Sequence, residues 1–274
     1  MNSEALRAFY EKTTKIPGWL SNHDAAVINS ILSFQSKSYV SGDLLEIGVY
    51  AGRSAVLLGQ HVKQNEKLHV CDIFDGETDI KNSEEIVQSY KNLSRARFES
   101  NCLEFIGFLP IIHQCPSLEL PNLIGDNLFR FIHIDGSHLY EHVTADLDFA
   151  VSSIEELRGV IAVDDFRAQH TVGVAIAVWD LVLQGKVVPL VMTSAKIYLG
   201  HPKIIFDKVD LEKVLQSMGI EVLHEEILGH DTLRTIGLSD HNMYAKTTGL
   251  VRFFPPILGE FIRKSYLWKR FRNR

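Results

Sequence analysis

The sequence predicts an α/β fold built on a mostly parallel sheet with helices on both faces. Three observations predict it. Short apolar runs alternate with stretches of helical periodicity. Several of those runs end in glycine or in acids, which is how a parallel sheet furnishes the edge where it binds ligands. And 274 residues that are 46% hydrophobic and 23% charged make a globular chain long enough to bury a large core.

The elements follow in order. Residues 1–37 read as helical; Ser21 is placed to cap a helix whose apolar residues recur at Ala25, Ile28, Ile31 and Leu32. Ser41-Gly42 marks a turn. Asp43 to Ile47 is a first strand, closed by a glycine turn, and Ser54 to Val62 has helical spacing. Lys67 to Phe74 is a second strand and Pro110 to His113 a weaker third. Phe129 to Asp135 is a strong fourth strand, followed by a helix over His138 to Ile154. Gly159 to Val163 is a fifth strand and Val172 to Leu183 a helix. Val187 to Met192 and Ala195 to Leu199 read as a terminal pair of strands, and 210–219 as one more helix. The polar stretch from Asp75 to Ser100 reads as a helical insertion or lid. Three segments result: an N-terminal helical segment (1–40), a ligand-binding α/β domain (41–205) and a C-terminal extension (206–274).

A formal net charge of −6 argues against a nucleic-acid binder, which usually presents a basic domain. Cys71, Cys102 and Cys115 are too few and too scattered for a disulfide framework or a zinc site, and read as thiols of a reducing compartment. The polar N-terminus has no apolar signal region, and no apolar run is long enough to span a bilayer, so the expected location is cytoplasmic. One compositional shift stands out. From Arg252 to Arg274 seven basic residues face the single acid Glu260, interleaved with Phe253, Phe254, Phe261, Tyr266 and Trp268. Such an amphipathic segment can pack on its own domain or on a second subunit as a homo-oligomer. It can also make peripheral contact with an anionic membrane.

Glu46-Ile-Gly48-Val-Tyr-Ala-Gly52-Arg-Ser54 joins a strand to a helix start. Its Gly-x-x-x-Gly spacing is neither the dinucleotide fingerprint nor a phosphate loop. Glu46 repels phosphate and suits an amine-bearing ligand. Asp72, at the end of the second strand, is placed to accept hydrogen bonds from ribose hydroxyls. Together these residues describe a nucleoside site without a pyrophosphate; the ordinary explanation is a tight strand-to-helix turn plus a surface acid.

The fourth strand ends at Asp135 and the fifth at Asp164-Asp165, so three carboxylates should converge on one edge. Like charges packed together must be neutralised, and hard oxygen donors favour magnesium, manganese or calcium over zinc. His138, three residues past Asp135, has the intrinsic pKa of a general base. Each residue alone also has an ordinary explanation: Asp135 as a helix cap, Asp164 and Asp165 as solvated acids, His138 as a cap or a partner of Glu141. His133, inside a strand, reads as a satisfied core residue.

Glu46 to Gly52, Asp72, Ile134-Asp-Gly-Ser-His-Leu-Tyr-Glu141 with Asp146-Leu147, and Gly159-Val-Ile-Ala-Val-Asp-Asp-Phe166 resemble class I S-adenosylmethionine-dependent methyltransferases. The likeness spans about residues 17–200. It is nearest to the metal-dependent O-methyltransferase branch that includes macrocin O-methyltransferase and related sugar-modifying enzymes. The resemblance implies a Rossmann-like, doubly wound, mostly parallel seven-stranded sheet. It implies that Glu46, Gly48, Gly52 and Ser54 hold the methionine side of S-adenosyl-L-methionine, that Asp72 binds the ribose, and that Ser117 and Asp135 complete the cofactor site. It makes Asp135, Asp164 and Asp165 ligands of a divalent metal, nearest to Mg2+, and His138 the base that deprotonates a small hydroxylated acceptor such as a sugar or glycoside. Tyr50 would wall the sulfur. Two other classes fit less of the pattern. A non-catalytic nucleoside-binding or regulatory protein has no need of converging carboxylates. A nucleic-acid methyltransferase working through the basic tail is opposed by the overall acidity.

Overall fold

Two helices lead into the sheet: α1 (Ser3–Thr13) and α2 (Asn22–Lys37). Ser21 caps α2 by accepting from the Asp24 N–H, as its sequence position predicts. The computed structural model describes residues 1–75 and 94–236. Met1–Ile236 makes one unit, and Gly237–Arg274, a second unit, lies outside the described residues. The basic tail and most of the predicted lid therefore fall outside them.

The chain then runs β1 (Asp43–Ile47), α3 (Arg53–Gly59), β2 (Leu68–Asp72), α4 (Arg95–Phe105), β3 (Ile111–Gln114), α5 (Leu120–Ile124), β4 (Phe129–Ile134) and α6 (Tyr140–Ser153). It continues through β5 (Val160–Val163), α7 (Val172–Leu183), β6 (Val188–Met192), β7 (Ile197–Gly200), α8 (Lys208–Ser217), β8 (Glu221–Ile227) and β9 (His230–Ile236). The strands form one sheet in the order β3-β2-β1-β4-β5-β7-β6-β9-β8. From β3 to β5 all neighbours are parallel. β7 lies antiparallel to both β5 and β6, and β9 lies parallel to β6.

The α/β architecture is as predicted, and the strand count is corrected: among the described residues the sheet has nine strands, not seven. The predicted strand pair β6–β7 is present but not terminal. The hairpin β8–β9, from the stretch past residue 205, adds to β6. Among the described residues no helix is long and apolar enough to cross a membrane.

β1, β2, β4 and β5 carry apolar residues on both faces, and β2, β4 and β5 are buried along their whole length. Helices cover both faces, as a parallel sheet requires. α6 contributes Val143, Leu147 and Ala150 to the core on one face, together with Ala177, Val178 and Leu181 of α7. From β1 the order runs outward to β2 and β3 on one side and to β4 and β5 on the other. The switch point therefore lies between β1 and β4, where open α/β sheets bind their ligands.

Candidate functional site

The glycine turn leaves β1 at this switch point. Gly48 has φ +81°, and a Cβ placed on it would lie 2.2 Å from the Asp135 carbonyl oxygen. Glycine is thus required by the close approach of the β4–α6 turn as well as by its backbone angle. Gly52, with φ +91°, packs on the Phe98 ring, where a Cβ would come within 2.9 Å. Ser54 is half-buried in the first turn of α3.

Asp72 occupies the predicted strand end, but both its oxygens already accept backbone hydrogen bonds. Oδ2 takes the N–H groups of Val49 (2.8 Å) and Tyr50 (3.0 Å), and Oδ1 that of Phe74 (2.9 Å). Burial raises this carboxyl above its ordinary range while the amides pull it down. In this arrangement Asp72 braces the glycine turn. Tyr50 itself has φ +48° and stands 5.3 Å, ring to ring, from the exposed Trp19. An aromatic wall thus flanks the turn.

Across the switch point the acids meet as predicted. Asp135 and Asp164 follow directly on β4 and β5, whose ends are locked in register by Asp135 N–H to Ile47 O (2.8 Å) and Asp164 N–H to Ile134 O (2.9 Å). Donor atoms of Asp135, His138 and Asp165 lie within 4.8 Å of one another, and so do those of His133, Asp135 and Asp164. His138 Nε2 stands 2.8 Å from Asp165 Oδ2, off the line of a hydrogen bond, and is without a hydrogen-bond partner. The side chains of His138 and Asp165 are 25% and 32% exposed, so this end of the cluster reaches the surface, with His138 Nε2 itself buried. Asp165 adopts φ +54°, a left-handed conformation that turns its carboxylate back toward the helix start.

The other end of the cluster is closed, and sequence reasoning missed it. Lys196, 1% exposed, sits just before β7 with its ammonium on Asp164 Oδ2 and 3.0 Å from His133 Nε2. His133 Nδ1 in turn meets Glu46 Oε1 at 2.7 Å, leaving Glu46 Oε2 buried without a hydrogen-bond partner. His133 is a satisfied core residue, as expected, and is also the centre of a buried chain from Glu46 to Lys196. Burial opposes charge on Lys196, and Asp164 and Asp135 hold it protonated. Burial likewise opposes ionisation of Asp164, and Lys196 and His133 hold that carboxyl below its ordinary value. For Asp135 the balance falls the other way: burial and then Asp164 push it well above the carboxylate range, and the opposing pull of Lys196 does not offset them. The one legible sign of Lys196 is a lysine set directly before the apolar run Ile197-Tyr-Leu.

Ser117 opens a short turn after β3, and its hydroxyl bonds the buried Asp146 of α6. The other Asp146 oxygen, Oδ2, is a buried acceptor without a partner, and burial raises the carboxyl to about 6. Beneath Ser117, Cys71 Sγ lies 3.9 Å from Cys115 Sγ.

A family model described as a methyltransferase domain matches residues 45–166. Over these residues the chain is similar to a methyltransferase domain. The matched stretch contains the glycine turn, Asp72, Asp135, His138 and the Asp164-Asp165 pair, and it ends before Lys196. No curated protein matches the chain. Among solved structures, the O-methyltransferase NovP superposes with a TM-score of 0.54 at 18% identity, over 65% of this chain and 80% of that one. The S-adenosylhomocysteine-bound Podospora anserina methyltransferase PaMTH1 gives 0.49 at 14% identity, over 72% and 88%. The calicheamicin methyltransferase CalS11 gives 0.47 at 16%, over 72% and 91%. At these identities NovP supports the fold of the methyltransferase domain, and its chemistry is argued from the site.

Proposed function

We propose that the chain is an S-adenosylmethionine-dependent O-methyltransferase that acts on a hydroxyl of a small molecule, with a divalent cation assisting. The observation that carries this reading is the convergence at the switch point. The glycine turn and the Asp135–His138–Asp165 group share one edge of the sheet. The sugar or glycoside class of the acceptor rests on the likeness of residues 134–141 to sugar-modifying enzymes.

The residues suit a divalent cation. Glu46, Asp135, Asp164 and Asp165 bring four carboxylates together against one lysine; burial and then the charge of Asp164 raise Asp135, and added positive charge opposes both. Asp135 and Asp165, as hard oxygen donors at the open end, would hold magnesium or manganese. When bound, such a cation lowers the pKa of a coordinated hydroxyl. S-adenosylmethionine supplies a methyl group already activated on a sulfonium.

The chain's own part is to bind, orient and move a proton. Gly48 and Gly52 keep the backbone low where the cofactor would lie, with Ser54 at the helix start. Trp19 and Tyr50 offer an apolar wall beside the turn. His138 Nε2, without a hydrogen-bond partner, takes the acceptor's hydroxyl proton, and Asp165 at 2.8 Å then stabilises the imidazolium. Holding acceptor oxygen and methyl carbon in line supplies much of the remaining rate. The buried Asp146 Oδ2 and the half-buried Ser117, beside the end of β3, would face the nucleoside end of the site.

The test is calorimetric titration of S-adenosylhomocysteine into the full chain, with magnesium and then with chelator. Micromolar binding is the expected result. Absence of binding in both conditions would remove the cofactor and with it the proposed reaction.

A further inference from the structure

Lys196 occupies a position that the proposed chemistry does not use. It is buried, it lies outside the matched methyltransferase segment, and it reaches the acidic cluster from the antiparallel side of the sheet. We propose that Lys196 is a built-in counter-ion that reserves Asp164 for itself, confines a divalent cation to Asp135 and Asp165, and weakens that cation's binding. The inference rests on the cation reading given above.

The geometry separates the cluster into two poles. At the inner pole both Asp164 oxygens are engaged: Oδ2 by the Lys196 ammonium and Oδ1 by the Asp165 N–H at 2.8 Å. His133 is engaged on both ring nitrogens, by Glu46 and by Lys196. A cation at this pole would have to displace a buried ammonium from Asp164. At the outer pole the side chains of Asp165 and His138 are partly exposed, and the Nε2 of His138 is unbonded. Asp135 belongs to both groups. A cation there would feel the carboxylates as attraction and Lys196 as repulsion through a poorly screened interior.

Thr193 keeps the lysine in place. Its hydroxyl accepts the Lys196 N–H (2.8 Å) and donates to Asp24 of α2 (2.7 Å). The turn before β7 is therefore tied to the helical layer, and the ammonium is aimed from a fixed backbone.

The experiment is calorimetric titration of Mn2+ into the full chain for wild type, Lys196→Met and the double variant Lys196→Met/Asp164→Asn, each checked for a cooperative thermal transition. Removing the lysine charge is expected to tighten Mn2+ binding by about tenfold or more. The double variant removes one charge of each sign and is expected to bind within about threefold of wild type. If Lys196→Met binds no tighter than wild type, Lys196 is not an electrostatic brake. If the double variant loses more than about tenfold, Asp164 is itself a ligand, and the two-pole reading is wrong. Should Lys196→Met fail to fold, the charge-balanced double variant decides. Absence of Mn2+ binding in every protein would instead overturn the cation reading on which this inference stands.

Discussion

Gly48→Ala should uncouple the glycine turn from the acidic cluster, and its cost can be worked from the contacts. Two terms add. Alanine at φ +81° sits in the left-handed region, which costs about 1–2 kcal/mol for a residue with a Cβ. The new Cβ also meets the Asp135 carbonyl oxygen at 2.2 Å, its carbon at 2.5 Å and Gly136 Cα at 2.7 Å. These are backbone atoms fixed by the β1–β4 register, so the turn must shift, at roughly 1–3 kcal/mol for an overpacked contact. Gly107→Ala isolates the first term: Gly107 has φ +77°, with nothing within 4 Å of an added Cβ. In urea unfolding followed by circular dichroism, Gly107→Ala should lose about 1–2 kcal/mol and Gly48→Ala about 2–5 kcal/mol, with similar slopes. Gly48→Ala should also weaken S-adenosylhomocysteine binding, because the shift falls on the turn that faces the ligand edge. If the two variants lose the same stability within about 0.5 kcal/mol, the close approach of the two turns is not what demands glycine.

Two further outcomes are expected. Arg130, wholly buried in β4, is held by both Glu66 oxygens at 2.9 Å, by Gln35 Oε1 at 3.1 Å and by the His61 carbonyl at 2.7 Å. Glu66→Ala leaves this guanidinium uncompensated and should cost about 3–5 kcal/mol in a urea melt, and a loss under about 1 kcal/mol would refute the pairing argument. Asp146 titrates near 6 in the folded protein because burial disfavours its charge, so the folded state holds the proton more tightly than the unfolded one. Its stabilising contribution is then present below the ordinary carboxylate pKa and is lost as pH rises through about 6. Stability measured from pH 4 to 7 should fall with a component of about 3 kcal/mol that Asp146→Asn removes, and an unchanged slope in that variant would place the titration elsewhere.

The parallel half of the fold was legible because its strands carry apolar residues on both faces and end in chemistry. Asp135 and Asp164-Asp165 close two such runs, and the rule that parallel strands open on one edge brings them together without further information. The antiparallel half was less legible. β8 is an edge strand with acids at Glu221, Glu225 and Glu226, so it lacks the hydrophobic alternation that marks a half-buried strand. The hairpin to β9 turns on Leu228-Gly229, both at positive φ, where the usual signal is Asn-Gly or Asp-Gly. Lys196 escaped for a different reason. Its partner His133 lies 63 residues away in sequence, and a lysine beside a strand is ordinarily solvated. Asp72 was found by position, but its role depends on which amides point at it, and spacing does not carry that.

The reversal of β7 is what makes the inner pole of the cluster possible. β5 delivers Asp164 at its carboxyl end. A parallel neighbour would bring its own carboxyl end to the same edge, where strands in this sheet already place acids. β7 instead runs antiparallel, with Val163 opposite Ile197, so the residue preceding β7 lies beside the residue following β5. Lys196 and Asp164 therefore meet across the sheet edge by register alone. Placed two residues later, at Tyr198, a lysine would sit opposite Ala162 inside the buried sheet, further from the acids. The hairpin that reverses the strand direction thus sets the charge balance of an edge that the parallel strands alone would leave crowded with carboxylates.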